Sequence, residues 1–256
     1  MTSLSGKVAL ISGTAGGMGR EAALEFARRG ASVVGCDLDP ERSEETVRLA
    51  RDEGLEIESV HPVDLTSEED TGRWVQHAVD RYGRIDVLYN NASVARVGPW
   101  EEMTYEAWRF SMTYELDLVY ISTKAAWPHL AAAGGGVVIN VASIAGQLGA
   151  RFVDQHAHGA AKGGVLAFTK HLTVSGARDG IRAVSISPGL IVTPATQPVL
   201  DAMGAEAEAG VVAITPVGRL GRPEDVARVA AFLASDDASF INGTDIVIDG
   251  GVTALR

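Results

Sequence analysis

The sequence predicts a doubly wound α/β fold: one domain spanning residues 1–256, with a seven-stranded parallel sheet and helices on both faces. Three observations predict it. Short β-branched runs alternate with longer stretches of helical period, the pattern of βαβ units. A glycine-rich turn, Ser12-Gly-Thr-Ala-Gly-Gly-Met-Gly19, joins the first such run to the first helix. No repeat, low-complexity tract or linker divides the chain, and 46% hydrophobic residues can supply a sizeable core.

The elements follow in order. Residues 8–11 read as the first strand and 18–29 as the first helix, with Ala22, Ala23, Phe26 and Ala27 as its buried stripe and Gly30 as its stop. Residues 32–36 are the second strand, and Asp39 caps a helix that Pro40 opens. A third strand over 56–61 leads to Asp64, with Thr66 or Ser67 capping the next helix. The fourth strand, 86–90, ends in Asn90-Asn91-Ala92. One long helix is expected over 104–132, a fifth strand over 137–141, a helix over 158–177 and a sixth strand over 181–186. Residues 189–216 have weak periodicity and read as an extended flap over a site. A helix over 223–234 and a strand over 245–248 close the fold.

Composition narrows the function classes. With 22 basic and 33 acidic residues the net charge is −11, which argues against a nucleic-acid partner, since that needs clustered cations. The single cysteine, Cys36, excludes an internal disulfide and suits a reducing compartment. No apolar run approaches the roughly 20 residues of a membrane span, and residues 1–7 lack the regions of a signal peptide. A cytoplasmic protein with no membrane partner is expected.

The turn from Gly13 to Gly19 lies where a strand passes into a helix. There glycines permit a tight turn and close backbone approach, and the helix N-terminus can face a pyrophosphate. Without a ligand it would be an ordinary glycine-rich βα turn. Asp37 ends the second strand; a carboxylate there accepts hydrogen bonds from an adenosine ribose and repels a 2′-phosphate. No basic residue follows directly, and Arg42, the nearest cation, is expected to be solvated on the next helix. The cofactor expected is NAD rather than NADP.

With these residues in view, the chain resembles the short-chain dehydrogenase/reductase family over nearly its whole length. Gly13, Gly17 and Gly19, with Met18 between them, match the TGxxxGxG turn, Ser12 standing for its threonine. Asp64, followed by Leu65, matches the acid that binds adenine. Asn90-Asn91-Ala92-Ser93 matches NNAG except at its last residue, and Ser143 matches the catalytic serine. Pro188 and Gly189 through Val192 and Thr193 match the nicotinamide-side PG segment, and residues 218–226 and 249–251 match the C-terminal pattern. The resemblance implies a Rossmann fold and an NAD(H)-dependent oxidoreductase interconverting a small secondary alcohol and its ketone. Lys162 would bind the nicotinamide ribose.

The active site departs from that pattern. The family's YxxxK reads here His158-Gly-Ala-Ala-Lys162, and all five tyrosines precede this helix. His156 lies at a more usual distance from Ser143, but the spacing to Lys162 favours His158. Glu115 takes the place of the family's asparagine on the long helix and is expected to face Lys162. A histidine can handle the hydroxyl proton, since imidazoles ordinarily titrate near neutrality. An imidazole is shorter than a phenol by roughly 1.5–2 Å, so the substrate must sit deeper or a water must bridge. The catalytic set expected is therefore Ser143, His158, Lys162 and Glu115, with Glu115 either catalytic or a structural salt bridge. A hydrolytic triad of Ser143, His158 and Glu115 is disfavoured because no nucleophile elbow is present. The alternative is a catalytically impaired NAD-binding relative with a binding or regulatory role.

Substrate choice is expected from the loop after Ser93, near Trp100, and from the flap over 195–215. The flap holds Val199, Leu200, Met203, Val211, Val212 and Ile214 but no Lys or Arg, which suits a small uncharged or apolar alcohol or ketone. Those side chains can equally pack the flap onto its own domain. An acyl-carrier-protein reductase role is implied as possible by the resemblance, but an acidic chain offers little attraction to an acidic carrier. The family's habit implies a homotetramer or homodimer built on the two long helices.

Overall fold

The computed structural model describes residues 2–149 and 153–254. Among them seven strands form one parallel sheet in the order β3-β2-β1-β4-β5-β6-β7. These are β1 (Val8–Ser12), β2 (Ser32–Cys36), β3 (Ile57–Val60), β4 (Val87–Asn90), β5 (Gly136–Val141), β6 (Ile181–Pro188) and β7 (Asp245–Ile248). The central strands β1 and β4 are buried at every residue, as expected of a sheet covered on both faces.

Helix α1 (Gly17–Arg28) presents Ala22, Ala23, Phe26 and Ala27 to one face, beside α8 (Pro223–Ala234). Helices α3 (Glu68–Tyr82), α5 (Leu118–Ala132) and α6 (His156–Gly176) cover the other face. Helix α2 (Pro40–Asp52) starts where Asp39 accepts a bond from the Arg42 amide, and α3 starts where Ser67, not Thr66, caps it. A buried amide–hydroxyl chain pins the sheet to α5 and α6: Asn90 Nδ2 donates to Asn140 Oδ1 (2.8 Å) and Thr123 Oγ1 (3.1 Å), and Asn140 Nδ2 donates to Thr169 Oγ1 (2.9 Å). Asn90 and Asn140 are register partners in β4 and β5, so the chain fixes the strand ends that lead to Asn91 and Ser143.

Two expectations need correction. The long helix is not uniform: α4 (Tyr105–Met112) passes through a π-helical turn, Thr113–Asp117, before α5 resumes. The flap is not extended, because it contains α7 (Gln197–Ala213). Gly204 breaks that helix at φ 80° and ψ 162°, which splits its apolar residues into two short runs and hides the helical period.

Candidate active site

The strand order reverses beside β1, and the crevice this leaves at the carboxyl ends of β1 and β4 is where a doubly wound sheet holds ligands. A cleft of about 1100 Å³ lies there. The end at the glycine-rich turn is mostly backbone. Gly13 and Gly17 have φ of 76° and 54°, and a Cβ on Gly19 would collide with the Gly13 carbonyl. The Ala15 amide donates to Asp37 Oδ2 (2.9 Å), which draws the end of β2 against the turn. Ser12 Oγ accepts from the amides of Asn91 and Ala92, each at 3.0 Å, and so joins the ends of β1 and β4.

Gly13, Gly17, Met18, Asp37, Asp64 and Leu65 line this end of the cleft. Asn91, Ala92, Lys162, Pro188, Gly189 and Thr193 line it further along. Gly19 does not; it lies beneath the turn and permits the close packing. Val192 does not either, and its side chain is on the surface. Arg42 is exposed on α2 as expected, and its guanidinium also stands over Gly16 and lines the cleft. Asn91 Oδ1 is buried without a hydrogen-bond partner among the described residues. A bare backbone turn at a helix N-terminus, the Asp37 carboxylate and that unpaired acceptor fit a dinucleotide.

The other end, where Ser143, His158 and Lys162 gather, is built by three elements. Ser143 follows β5 and caps a short 3-10 turn, accepting from the Ala145 amide at 3.1 Å, so its hydroxyl proton stays available to another acceptor. His158 and Lys162 stand one turn apart on α6. Lys162 Nζ donates to the Val141 carbonyl at 2.9 Å. Burial pushes the Lys162 ammonium below the ordinary lysine range, and the Glu115 carboxylate offsets part of that. Glu115 sits on the π-helical turn, 1% exposed, behind the cleft wall rather than in it. It faces Lys162 as expected, at 3.9 Å, but its shorter contacts are to His158 Nδ1, 2.8 Å from Oε1 and 3.0 Å from Oε2.

Other residues fall differently from expectation. His156 does not line the cleft; it packs edge-on against Trp100, centroids 5.2 Å apart. Trp100 does not line the cleft either. Tyr114, passed over in the sequence because it precedes the catalytic helix, lines the cleft with its ring stacked on Phe110. Ser93 Oγ, also missed, donates to Glu115 Oε1 at 3.1 Å; its only signal was its departure from NNAG. The far wall is apolar, with Val94, Leu148, Val199, Met203, Val211 and Ile214. Leu200 instead packs into the body at 3% exposure, so the flap's apolar residues are divided between cleft and core.

A family model described as "Enoyl-(Acyl carrier protein) reductase" matches residues 13–253. Cyclohexanol dehydrogenase of Acinetobacter sp. (strain SE19) is 39% identical over 252 residues, 97% of this chain and 95% of that protein. The chain belongs to the short-chain dehydrogenase/reductase family. A further member, cis-4-hydroxycyclohexanecarboxylate dehydrogenase of Sinomonas cyclohexanicum, is 37% identical, covering 97% of each chain. Among solved structures, a short-chain type dehydrogenase/reductase from Mycobacterium marinum superposes with a TM-score of 0.93 at 29% identity, over 99% of this chain and 98% of that one. This short-chain dehydrogenase/reductase is an oxidoreductase, and dehydrogenases of the family use nicotinamide cofactors.

Proposed function

We propose that this protein interconverts a small, mostly uncharged secondary alcohol and its ketone with NAD(H), and that His158 handles the hydroxyl proton. The observation that carries the reading is the position of His158. Its ring lines the cleft one turn from Lys162, with a side-chain exposure of 18%, while Glu115 closes the opposite side of the ring.

Bound NAD supplies the hydride acceptor. Ser143 offers its hydroxyl proton to the substrate oxygen and orients it. His158 receives the proton that the alcohol loses, within hydrogen-bond reach or through one water. Lys162, anchored on the Val141 carbonyl, would hold the nicotinamide ribose through its ammonium. Asp37 favours the free ribose hydroxyl of NAD over a 2′-phosphate. The apolar wall, and relatives named for ring alcohols, favour an alicyclic or similarly apolar substrate.

The outer sides of α5 and α6 bear Tyr120 and Phe168, with rings 6.5 Å apart and Tyr120 half exposed. That patch supports a homodimer or homotetramer of this single-domain chain. No helix among the described residues is long and apolar enough to cross a membrane, which is compatible with a cytoplasmic setting.

The test is a screen of cyclohexanol and other secondary alcohols with NAD, alongside NADH titration by fluorescence. His158→Ala should abolish turnover and leave NADH binding intact. Binding with no turnover on any alcohol or ketone would favour the impaired relative. If Tyr114→Phe abolishes turnover while His158→Ala does not, the proton handler is Tyr114.

A further inference from the structure

Three positions at which the chain departs from its family's pattern meet in space. Ser93 follows β4, Glu115 lies in the π-helical turn, and His158 is on α6. Glu115 Oε1 accepts from Ser93 Oγ at 3.1 Å, and both Glu115 oxygens lie within 3.0 Å of His158 Nδ1. Lys162 supplies the balancing charge at 3.9 Å. A carboxylate at 1% exposure is costly unless paired and hydrogen-bonded, and these three partners meet that cost.

The contact constrains the ring's tautomer. An ionised carboxylate can only accept, so a bond to Nδ1 requires the hydrogen on Nδ1, and the neutral ring then keeps its lone pair on Nε2. We infer that Glu115 is a positioning residue that holds His158 in the Nδ1–H tautomer and turns Nε2 toward the cleft as the proton acceptor, with Ser93 fixing the carboxylate. This rests on the proposed role of His158. In alcohol oxidation the O–H bond breaks and an Nε2–H bond forms, while the carbinol C–H pair leaves as hydride to the oxidised nicotinamide and the C=O bond forms. Glu115 takes no proton; it stabilises the imidazolium that results. An amide at 115 lacks this restriction, because its NH2 can donate to Nδ1 and hold the opposite tautomer.

The experiment is long-range 1H–15N correlation NMR on protein labelled with 15N-histidine and free of cofactor, the His158 signals being assigned by their loss in His158→Asn. Wild type should show a protonated Nδ1 and an unprotonated Nε2. Glu115→Gln should lose that pattern and lower kcat by roughly 10–100-fold, with the NADH Kd within about twofold of wild type. Glu115→Asp keeps the charge beside buried Lys162 and guards against a folding failure; it should retain the tautomer and recover part of kcat. An Nε2–H tautomer in wild type, or wild-type kcat in Glu115→Gln, overturns the inference. If His158→Ala keeps full turnover, the proposed function fails instead. An inactive His158→Ala beside a fully active Glu115→Gln removes only the role of Glu115.

Discussion

Lys162 Nζ lies 3.9 Å from Glu115 Oε1, and the two groups are 3% and 1% exposed. At that separation in a poorly solvated site, opposite charges largely cancel at a third group placed beside both. A phenol at position 158 would therefore meet a carboxylate that disfavours its ionisation, with little net help from the ammonium.

Restoring the family tyrosine alone should fail for this reason. His158→Tyr is expected to remain slow in NAD-dependent oxidation of a secondary alcohol, and His158→Tyr with Glu115→Asn should exceed it by about tenfold or more. The double-mutant cycle on kcat measures the coupling. Equal rates in the single and double variants would show that Glu115 does not limit the phenol.

Asp37 and Arg42 line the cleft beside the glycine-rich turn with opposite charges. Asp37→Ser should raise the KM for NAD by roughly tenfold, which corresponds to about 1.4 kcal/mol, and should improve NADP use. Adding Arg42→Ala should remove the gain with NADP and leave NAD nearly unaffected. Steady-state kinetics with both cofactors check the pair.

Gly204 has φ 80° and ψ 162°, and nothing lies within 4 Å of where its Cβ would be. Any cost of Gly204→Ala is thus backbone strain, on the order of 1–3 kcal/mol. Relief by straightening α7 would move Met203 and Val211, both in the cleft wall. The expected result is a severalfold higher KM for the alcohol with kcat and cofactor affinity little changed, measured with saturating NAD.

Glu58 joins β3 to α3, accepting from Tyr82 at 2.9 Å and bonding Arg81 and His77 at 2.7 Å each. Burial raises its carboxyl pKa, but the three bonds outweigh that and leave it below the ordinary glutamate range. Tyr82 is pushed up to about 12, first by its own burial and then by Glu58. With the folded value depressed, the stabilisation is complete above the unfolded value near 4.5 and is lost as pH falls through the folded value. Glu58→Gln should lower stability by about 1 kcal/mol at pH 7, and the gap should close in acid. Thermal melts of both proteins across that range test it.

Much of the architecture was legible because it is punctuated chemically. Asp39-Pro40 and Pro223 mark helix starts, and Asp37 and Asp249 follow the ends of β2 and β7; the structure reproduces these limits. Helix α7 was hidden because its hydrophobic residues change phase at Gly204. Ser93, Glu115 and His158 were each legible as a departure from the motifs the sequence resembles. Their junction was not, since it depends on bringing together side chains 22 and 43 residues apart. Trp100 misled because a large aromatic near a site suggests a wall, whereas here it packs with His156 outside the cleft.

The π-helical turn at Thr113–Asp117 puts the two halves of one helical rod out of step. Residues of α4 and α5 therefore obey separate numberings around a common axis, and neither half can be slid along without breaking the other's seating. A chain shortened by one residue in this turn could close it into ordinary α-helix with α5 still seated, because the wider turn is what absorbs the additional residue. Glu115, carried on the turn itself, would be re-aimed off the imidazole. The widened turn thereby ties one additional residue of chain length to the carboxylate that stands beside His158.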